Sequence, residues 1–277
     1  MGQGKGVQKR KEDSLGRLVL GRHGYRCGRL LGKGAFSGVY YVEGQTGGNA
    51  CVCKISGNIS VLEREAQVMA LLEHPLFPKY FGFWQEAGLG FLLGEYIPGY
   101  TLEEMLMRRG HFTAEQTIRV GMALAEGLRY LHERPERFLF RDVKPANIMI
   151  RQDGSVMLID FGCVCSMEGR ISSRAGTPDF AAPEQLEKNG RLLPACDVYG
   201  VGRTLKAMLG PEREPIAKKP FIEGRKSIAT RHYVRELAGR RKRKRLDRIL
   251  DACTRTEAAR RIPDMAQVGH ALGRLST

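Results

Sequence analysis

The chain has 277 residues, 42% hydrophobic and 27% charged, with 45 Lys+Arg against 30 Asp+Glu and a net charge of +15. This is ordinary globular composition, which excludes wholesale disorder. No apolar run approaches the ~18 residues of a membrane span, and the Gly- and Lys-rich start lacks the apolar stretch of a signal peptide, so a cytoplasmic protein without a transmembrane segment is expected.

The positive charge is unevenly placed. Residues 1–11 carry four Lys/Arg and no acid, residues 218–248 carry thirteen Lys/Arg against three acids, and the remainder is close to neutral. A polyanion-binding body would be basic throughout, so any such contact is an addition to what the body does. Seven cysteines, paired only as Cys51-x-Cys53 and Cys163-x-Cys165, match neither zinc spacing nor a disulfide framework, which leaves free packed thiols.

In chain order, residues 1–20 are expected to form a basic flexible tail, because the stretch to about Asp13 offers little to bury. From Tyr25 to Ile55, short β-type runs alternate with glycine: Arg29-Leu30-Leu31, Gly38-Val39-Tyr40-Tyr41-Val42, a Gly47-Gly48-Asn49 turn, then Cys51-Val52-Cys53-Lys54-Ile55. That pattern is a hairpin meander. Ser60-x-x-Glu63 reads as a capping box opening a helix on which Val61, Glu65, Val68, Met69 and Leu72 share a face, making Glu65 the carboxylate on an apolar stripe. Pro75 and Pro78 end that helix, and two more strands follow over 80–84 and 90–96. After Pro98-Gly99 the pattern becomes helical, with capping boxes at Thr101-x-x-Glu104 and Thr113-x-x-Gln116, the second opening a long helix through Leu131. Residues 147–150 and 156–159 flank Asp153-Gly154, a strong hairpin signal.

Three stretches carry chemistry. Leu31-Gly32-Lys33-Gly34-Ala35-Phe36-Ser37-Gly38-Val39 lies between two strands, unlike a dinucleotide fingerprint or a P-loop. Gly32 and Gly34 would let backbone N–H groups approach phosphate oxygens, with Val39 roofing a planar base; the bland alternative is a glycine-rich hairpin. Lys54 ends an apolar strand, where an ammonium must find an anion or suffer a large desolvation cost, and Glu65 is the candidate partner. Turn geometry brings Asp142, Asn147 and Asp160 to one edge. Those hard oxygens suit Mg2+ with phosphate and leave Asp142 to orient and accept the proton of an attacking hydroxyl.

Taken in order, the glycine loop, Lys54, Glu65, Arg141-Asp142-x-Lys144-x-x-Asn147, Asp160-Phe161-Gly162 and Ala182-Pro183-Glu184 resemble the eukaryotic-type protein kinases from about Tyr25 to Leu275. The wording of residues 140–150 is most similar to bacterial members. The resemblance implies an α+β, two-lobe fold, with a β-rich lobe over 21–97 and a mainly helical lobe over 98–277. It implies ATP and Mg2+ as cofactors, protein substrates, Lys54 on the α/β-phosphates and paired with Glu65, Asp142 as base, and Asn147 and Asp160 as metal ligands. Lys144 with Gly176-Thr177 resembles the Ser/Thr-directed version. Leu31, Gly32, Gly34, Val39 and Val52 would line the nucleotide, and the backbone of Glu95 and Ile97 would meet the adenine edge. Asp197 resembles the aspartate that anchors the catalytic loop, and Arg261, or else Arg260, the arginine that pairs with Glu184. Gly94 falls where a bulkier side chain usually closes the back of the adenine pocket, unless the register is off by one and Leu93 fills the space.

Arg141 resembles the arginine that pairs with a phosphorylated activation segment, with Ser172 or Ser173 as the acceptor and Thr177 as a platform residue holding Asp142 and Lys144. The alternative is a permanent carboxylate partner such as Glu168. Departures from the pattern are Ser37 for the third loop glycine, Phe140 for the usual His, and a short spacing from Lys54 to Glu65. The rival functions are a kinase-like small-molecule phosphotransferase and a pseudokinase scaffold. The run Arg240-Arg241-Lys242-Arg243-Lys244-Arg245 reads either as a solvated run before a helix or as a contact with a polyanion or an acidic substrate.

Overall fold

The computed structural model describes residues 3–34, 37–46, 48, 50–167, 176–187, 192–211 and 228–276, with backbone alone for 3–12 and 228–238. The chain divides into two compact units, Met1–Gly99 with Arg151–Asp153 and Ile159–Val164, and Tyr100–Ile150 with Gly154–Leu158 and Cys165–Thr277.

The first unit is built on an antiparallel sheet of five strands, β1 (Tyr25–Lys33), β2 (Ser37–Gly44), β3 (Cys51–Ser56), β4 (Tyr80–Glu86) and β5 (Leu89–Glu95), in the order β1-β2-β3-β5-β4. Two helices accompany it, α1 (Gln3–Arg22) and α2 (Ile59–Ala70). The two-residue period of a strand sends Cys51, Cys53 and Ile55 to one side of β3, and Val52 and Lys54 to the other. On the first side Val19 and Leu20 of α1 close a core with Tyr40, Val42, Cys53, Phe91 and Leu93. Over β5, Leu62 and Met69 of α2 lie within van der Waals range of where side chains at Gly90 and Gly94 would begin. Leu93 therefore belongs to the core under α1, and Gly94 faces Met69.

Two expectations are corrected here. The expected flexible tail over 1–20 is corrected for the described residues 3–20, which belong to α1 (Gln3–Arg22). From Asp13 onward the stretch carries Leu15, Val19 and Leu20 at helical spacing, and these pack on the sheet. Gly16 permits the close approach, because a Cβ there would sit 3.0 Å from Ile55 Cδ1. Its polar residues are engaged as well: Tyr40 donates to Asp13 Oδ1 at 2.6 Å, Arg17 donates to Gly28 O at 3.1 Å, and Arg22 and His23 both reach Glu86 at 2.7 Å. The capping box at Ser60 does not form either. The helix starts earlier, with Asn58 at the N-cap, and Ser60 Oγ donates to Asn58 Oδ1 instead. The buried face is Leu62, Glu65, Ala66 and Met69, with Val61 and Val68 only half-buried.

The second unit is mainly helical, completing an α+β chain. After a short strand β6 (Gly99–Thr101) come α3 (Leu102–Arg109) and α4 (Ala114–Glu133), each opened by a complete capping box, at Thr101 with Glu104 and at Thr113 with Gln116. There follow β7 (Phe138–Leu139), β8 (Ile148–Arg151), β9 (Val156–Leu158), β10 (Cys165–Ser166), α5 (Pro183–Leu186), α6 (Ala195–Leu209), α7 (Ile228–Cys253) and α8 (Met265–Ser276). The β8/β9 hairpin pairs Ile148 with Leu158 and turns through Gly154 at φ 83°. Leu124 and Leu128 of α4, Leu205 of α6, Leu246 and Leu250 of α7 and Leu272 of α8 are buried. The basic run is corrected in turn: it lies inside α7, not before it.

Candidate active site

In the first unit the glycine turn is closed by Gly34 N–H donating to Ser37 O at 2.9 Å. Ala35 and Phe36 lie outside the described residues. Of the expected nucleotide-lining residues, Leu31 and Gly34 are exposed, and Gly32, Val39 and Val52 are half-buried. The register sets Val39 opposite Lys54 and Val52 opposite Gly94, so these side chains share one side of the sheet. A Cβ at Gly94 would stand 3.6 Å from Met69 Cε, 4.0 Å from Val52 Cγ2 and 3.3 Å from Lys79 O. Glu95 N–H donates to Lys79 O at 2.9 Å, and the Glu95 carboxylate takes Lys79 N–H and Arg151. Ile97 is buried.

Lys54 Nζ donates to both oxygens of Glu65, at 2.9 and 2.8 Å, and to Asp160 Oδ1 at 2.8 Å. Burial alone would drive this ammonium down, but the two carboxylates hold its pKa above the ordinary lysine value. Glu65 is almost fully buried, as an isolated carboxylate could not be, and it also accepts from Phe161 N–H at 3.3 Å. Asp160 is 48% exposed and sits at φ 69°, in the left-handed region that costs a non-glycine residue free energy. Its carboxylate is therefore open to solvent on one side while Lys54 holds the other.

The second unit gathers the remaining groups. Asp142 Oδ1 accepts from Thr177 N–H at 3.1 Å and Thr177 Oγ1 at 3.0 Å, and Oδ2 lies 2.8 Å from Lys144 Nζ and accepts from Asn147 Nδ2 at 3.0 Å. Lys144 also donates to Thr177 Oγ1 at 2.8 Å. Thr177 thus holds Asp142 and Lys144 together. The turn that presents it needs Gly176, at φ 113°, where a Cβ would meet Ala181 at 2.9 Å and Arg141 O at 3.1 Å. Asn147 uses its amide nitrogen on Asp142, which points the chemistry of its carbonyl oxygen elsewhere.

The loop carrying Asp142 is anchored from below. Buried Asp197 accepts from Phe140 N–H at 2.8 Å and Arg141 N–H at 2.7 Å. Phe140 is itself fully buried, an apolar contact in place of a polar ring. Arg261, not Arg260, pairs with Glu184: its side chain is fully buried, and its two terminal nitrogens meet the carboxylate at 2.5 and 2.7 Å. Arg260 instead pairs with Glu257 at the surface. Arg141 is buried beside Cys165, whose thiol is pushed up by burial in spite of the guanidinium. Glu168, Ser172 and Ser173 lie outside the described residues.

Two partners had no sequence signal. His132 Nε2 meets Asp197 Oδ2 at 2.8 Å from 65 residues away, and Gln185 Nε2 donates to Arg141 O at 2.8 Å.

Residues 25–263 match the family model described as protein kinase domain. Among curated proteins, the chain is 28% identical over 211 residues to a putative serine/threonine-protein kinase PRKY of Homo sapiens, covering 73% of this chain and 75% of that protein. It is 30% identical over 187 residues to Aurora/IPL1-related protein kinase 2 of Caenorhabditis briggsae, covering 64% and 61%, and 30% identical over 207 residues to CBL-interacting protein kinase 16 of Oryza sativa subsp. japonica, covering 70% and 44%. The chain thus spans less than two thirds of the latter two.

Proposed function

The chain belongs to the protein kinase domain family, whose members use ATP with a divalent metal, and we propose that it is a protein serine/threonine kinase in which Asp142 acts on the acceptor hydroxyl. The observation that carries this reading is the completeness of both groups of side chains. The first unit has Lys54 held between Glu65 and Asp160, and the second has Asp142 held among Thr177, Lys144 and Asn147.

In this reading Leu31, Gly32, Gly34, Val39 and Val52 line the nucleotide, and the backbone of Glu95 and Ile97 meets the adenine edge. Lys54 holds the α/β-phosphates, oriented by Glu65. Asn147 Oδ1 and the half-exposed Asp160 carboxylate are hard oxygen donors of the kind Mg2+ takes in ones and twos. A Mg2+ ion held by these two residues would supply positive charge to offset the negative charge that develops in transfer. Asp142, fixed on both oxygens, orients the acceptor hydroxyl and takes its proton, while Lys144 sets a positive charge beside it. Thr177, used in this cluster, is a platform residue, not the phosphate acceptor.

The wording of residues 140–150 supports a bacterial-type member. Among the described residues no helix is long and apolar enough to cross a membrane; we assign the enzyme to the cytoplasm because its seven cysteines are free thiols, the form kept in reducing compartments.

Incubation with labelled ATP, alone, with a protein mixture and with a metabolite pool, tests the reading. Label is expected on protein Ser/Thr, and Asp142→Asn and Asp160→Asn should each abolish transfer with an unchanged melting temperature. Label confined to metabolites would establish the small-molecule rival, and retained transfer in either variant would remove the mechanism.

A further inference from the structure

Thirteen cations between 218 and 248 need a reason, and α7 separates those that hold the fold from those that do not. At about 100° per residue, Arg240, Arg241, Lys244, Arg245 and Arg248 fall within about 140° of arc, opposite the buried Leu246, Leu250 and Cys253. All five are exposed. Arg243, on the flank, is structural: it binds Asp247 at 3.0 Å and donates to the Leu209 and Gly210 carbonyls at 3.1 and 2.8 Å, covering the end of α6.

The acids on this part of the helix are already engaged. Asp247 is held by Arg243, and Asp251 by Lys206 of α6 at 2.7 Å. Arg241, Lys244, Arg245 and Arg248 form no ion pair or side-chain hydrogen bond among the described residues. Arg241 with Arg245, and Lys244 with Arg248, are like charges four apart, an arrangement that works against the helix. Self-repulsion is relieved most when a dense anion replaces small counterions.

We propose that this face of α7 docks an acidic segment of the protein substrate, an inference that rests on the kinase reading for the nature of its partner. Cations four residues apart on a helix are about 6 Å apart along its axis, close to the roughly 6.6–6.8 Å between same-side residues of an extended peptide. Alternate carboxylates of such a peptide therefore match the pairs 244, 248 and 241, 245. Single-stranded nucleic acid is the weaker match, because its recognition interleaves cations with aromatic faces, and residues 239–253 contain no aromatic side chain.

The test uses the full chain carrying Arg241→Gln, Lys244→Gln, Arg245→Gln and Arg248→Gln together, and the two double variants Arg241→Gln/Arg245→Gln and Lys244→Gln/Arg248→Gln in case the fourfold change disturbs folding. Anisotropy of a labelled peptide alternating glutamate and serine should show binding that weakens about tenfold or more in the fourfold variant, and by a smaller factor in each double. Binding by the native chain should also fall with added salt. The same acidic tract fused to a Ser acceptor should lower KM in the native enzyme and not in the variants, while turnover of a neutral acceptor peptide stays equal in all of them. Unchanged peptide affinity in the variants, or tighter binding of duplex DNA or of anionic vesicles than of the peptide, overturns the proposal. Loss of transfer to the neutral peptide in the native chain would instead strike the kinase reading, and the anisotropy result would still stand.

Discussion

Replacing Leu20 by alanine should destabilise the first unit by about 2–5 kcal/mol, the usual range for truncating a fully buried leucine. Leu20 is 0% exposed and lies in the cluster with Tyr40, Val42, Cys53, Phe91 and Leu93, so the methyl groups removed have close neighbours on several sides. If residues 1–20 were a tail, the same change would fall within about 0.5 kcal/mol of zero. Leu18 supplies the internal control, being on the same helix and 63% exposed; Leu18→Ala should cost almost nothing. A third variant, Asp13→Asn, weakens the 2.6 Å hydrogen bond from Tyr40, which belongs to the charged class contributing about 1.5–3 kcal/mol. The assay is urea unfolding followed by tryptophan fluorescence. The chain has one tryptophan, Trp84, stacked on Phe91 with ring centres 5.0 Å apart and tilted against His23 at 5.0 Å, so the signal reports this unit. Equal midpoints for Leu20→Ala and Leu18→Ala would refute the packing of α1 on the sheet.

Asp197→Asn should lower kcat more than it raises KM, because an amide nitrogen would face one of the three donors Asp197 now accepts, at a cost of about 1–3 kcal/mol; steady-state kinetics equal to the native enzyme would dismiss the anchoring role. Although burial works to raise the Glu184 pKa, Arg261 holds it below the ordinary glutamate value, so the folded state binds fewer protons than the unfolded chain between those two values. That contribution is fully present above the ordinary value and is lost as pH falls through the lowered one, and Glu184→Gln should flatten the acid limb of a melting-temperature profile. Gly94 puts no side chain beside Met69 and Val52, which a Cβ there would approach to 3.6 and 4.0 Å, so the enzyme should accept ATP analogues enlarged at the adenine amino group and Gly94→Met should reject them; equal use by both proteins would show that this side of Gly94 is not the adenine pocket.

Much of the candidate site was legible because its residues are costly when alone. Lys54 and Glu65 each stand among apolar neighbours, and the two-residue period of β3 with the face of α2 was enough to pair them. The hairpin at Asp153-Gly154 likewise follows from local turn chemistry. His132 with Asp197, and Arg243 over the end of α6, escaped for the opposite reason. Histidine and arginine can sit in water without penalty, so nothing local demands a partner that lies 65 or 34 residues away.

The missed helix α1 shows a signal of a different kind. The stretch itself is ambiguous, since Gly, Lys and Gln dominate its start and only Leu15, Val19 and Leu20 mark its buried side. The demand for it comes from β5, where Phe91-Leu92-Leu93 is apolar at consecutive positions and all three are buried. A strand with one wet face would alternate. A strand that does not alternate needs cover on both sides, and α2, whose Met69 lies by Gly94 and Leu62 by Gly90, can supply only one. Asp13 to Leu20 lies just ahead of β1, a strand of the same sheet, and Val19 and Leu20 pack with Phe91 and Leu93, so the apolar run in β5 and the short stripe near the start of the chain are two parts of one requirement. Each is weak by itself, and taken together they specify the helix that the composition of residues 1–20 conceals.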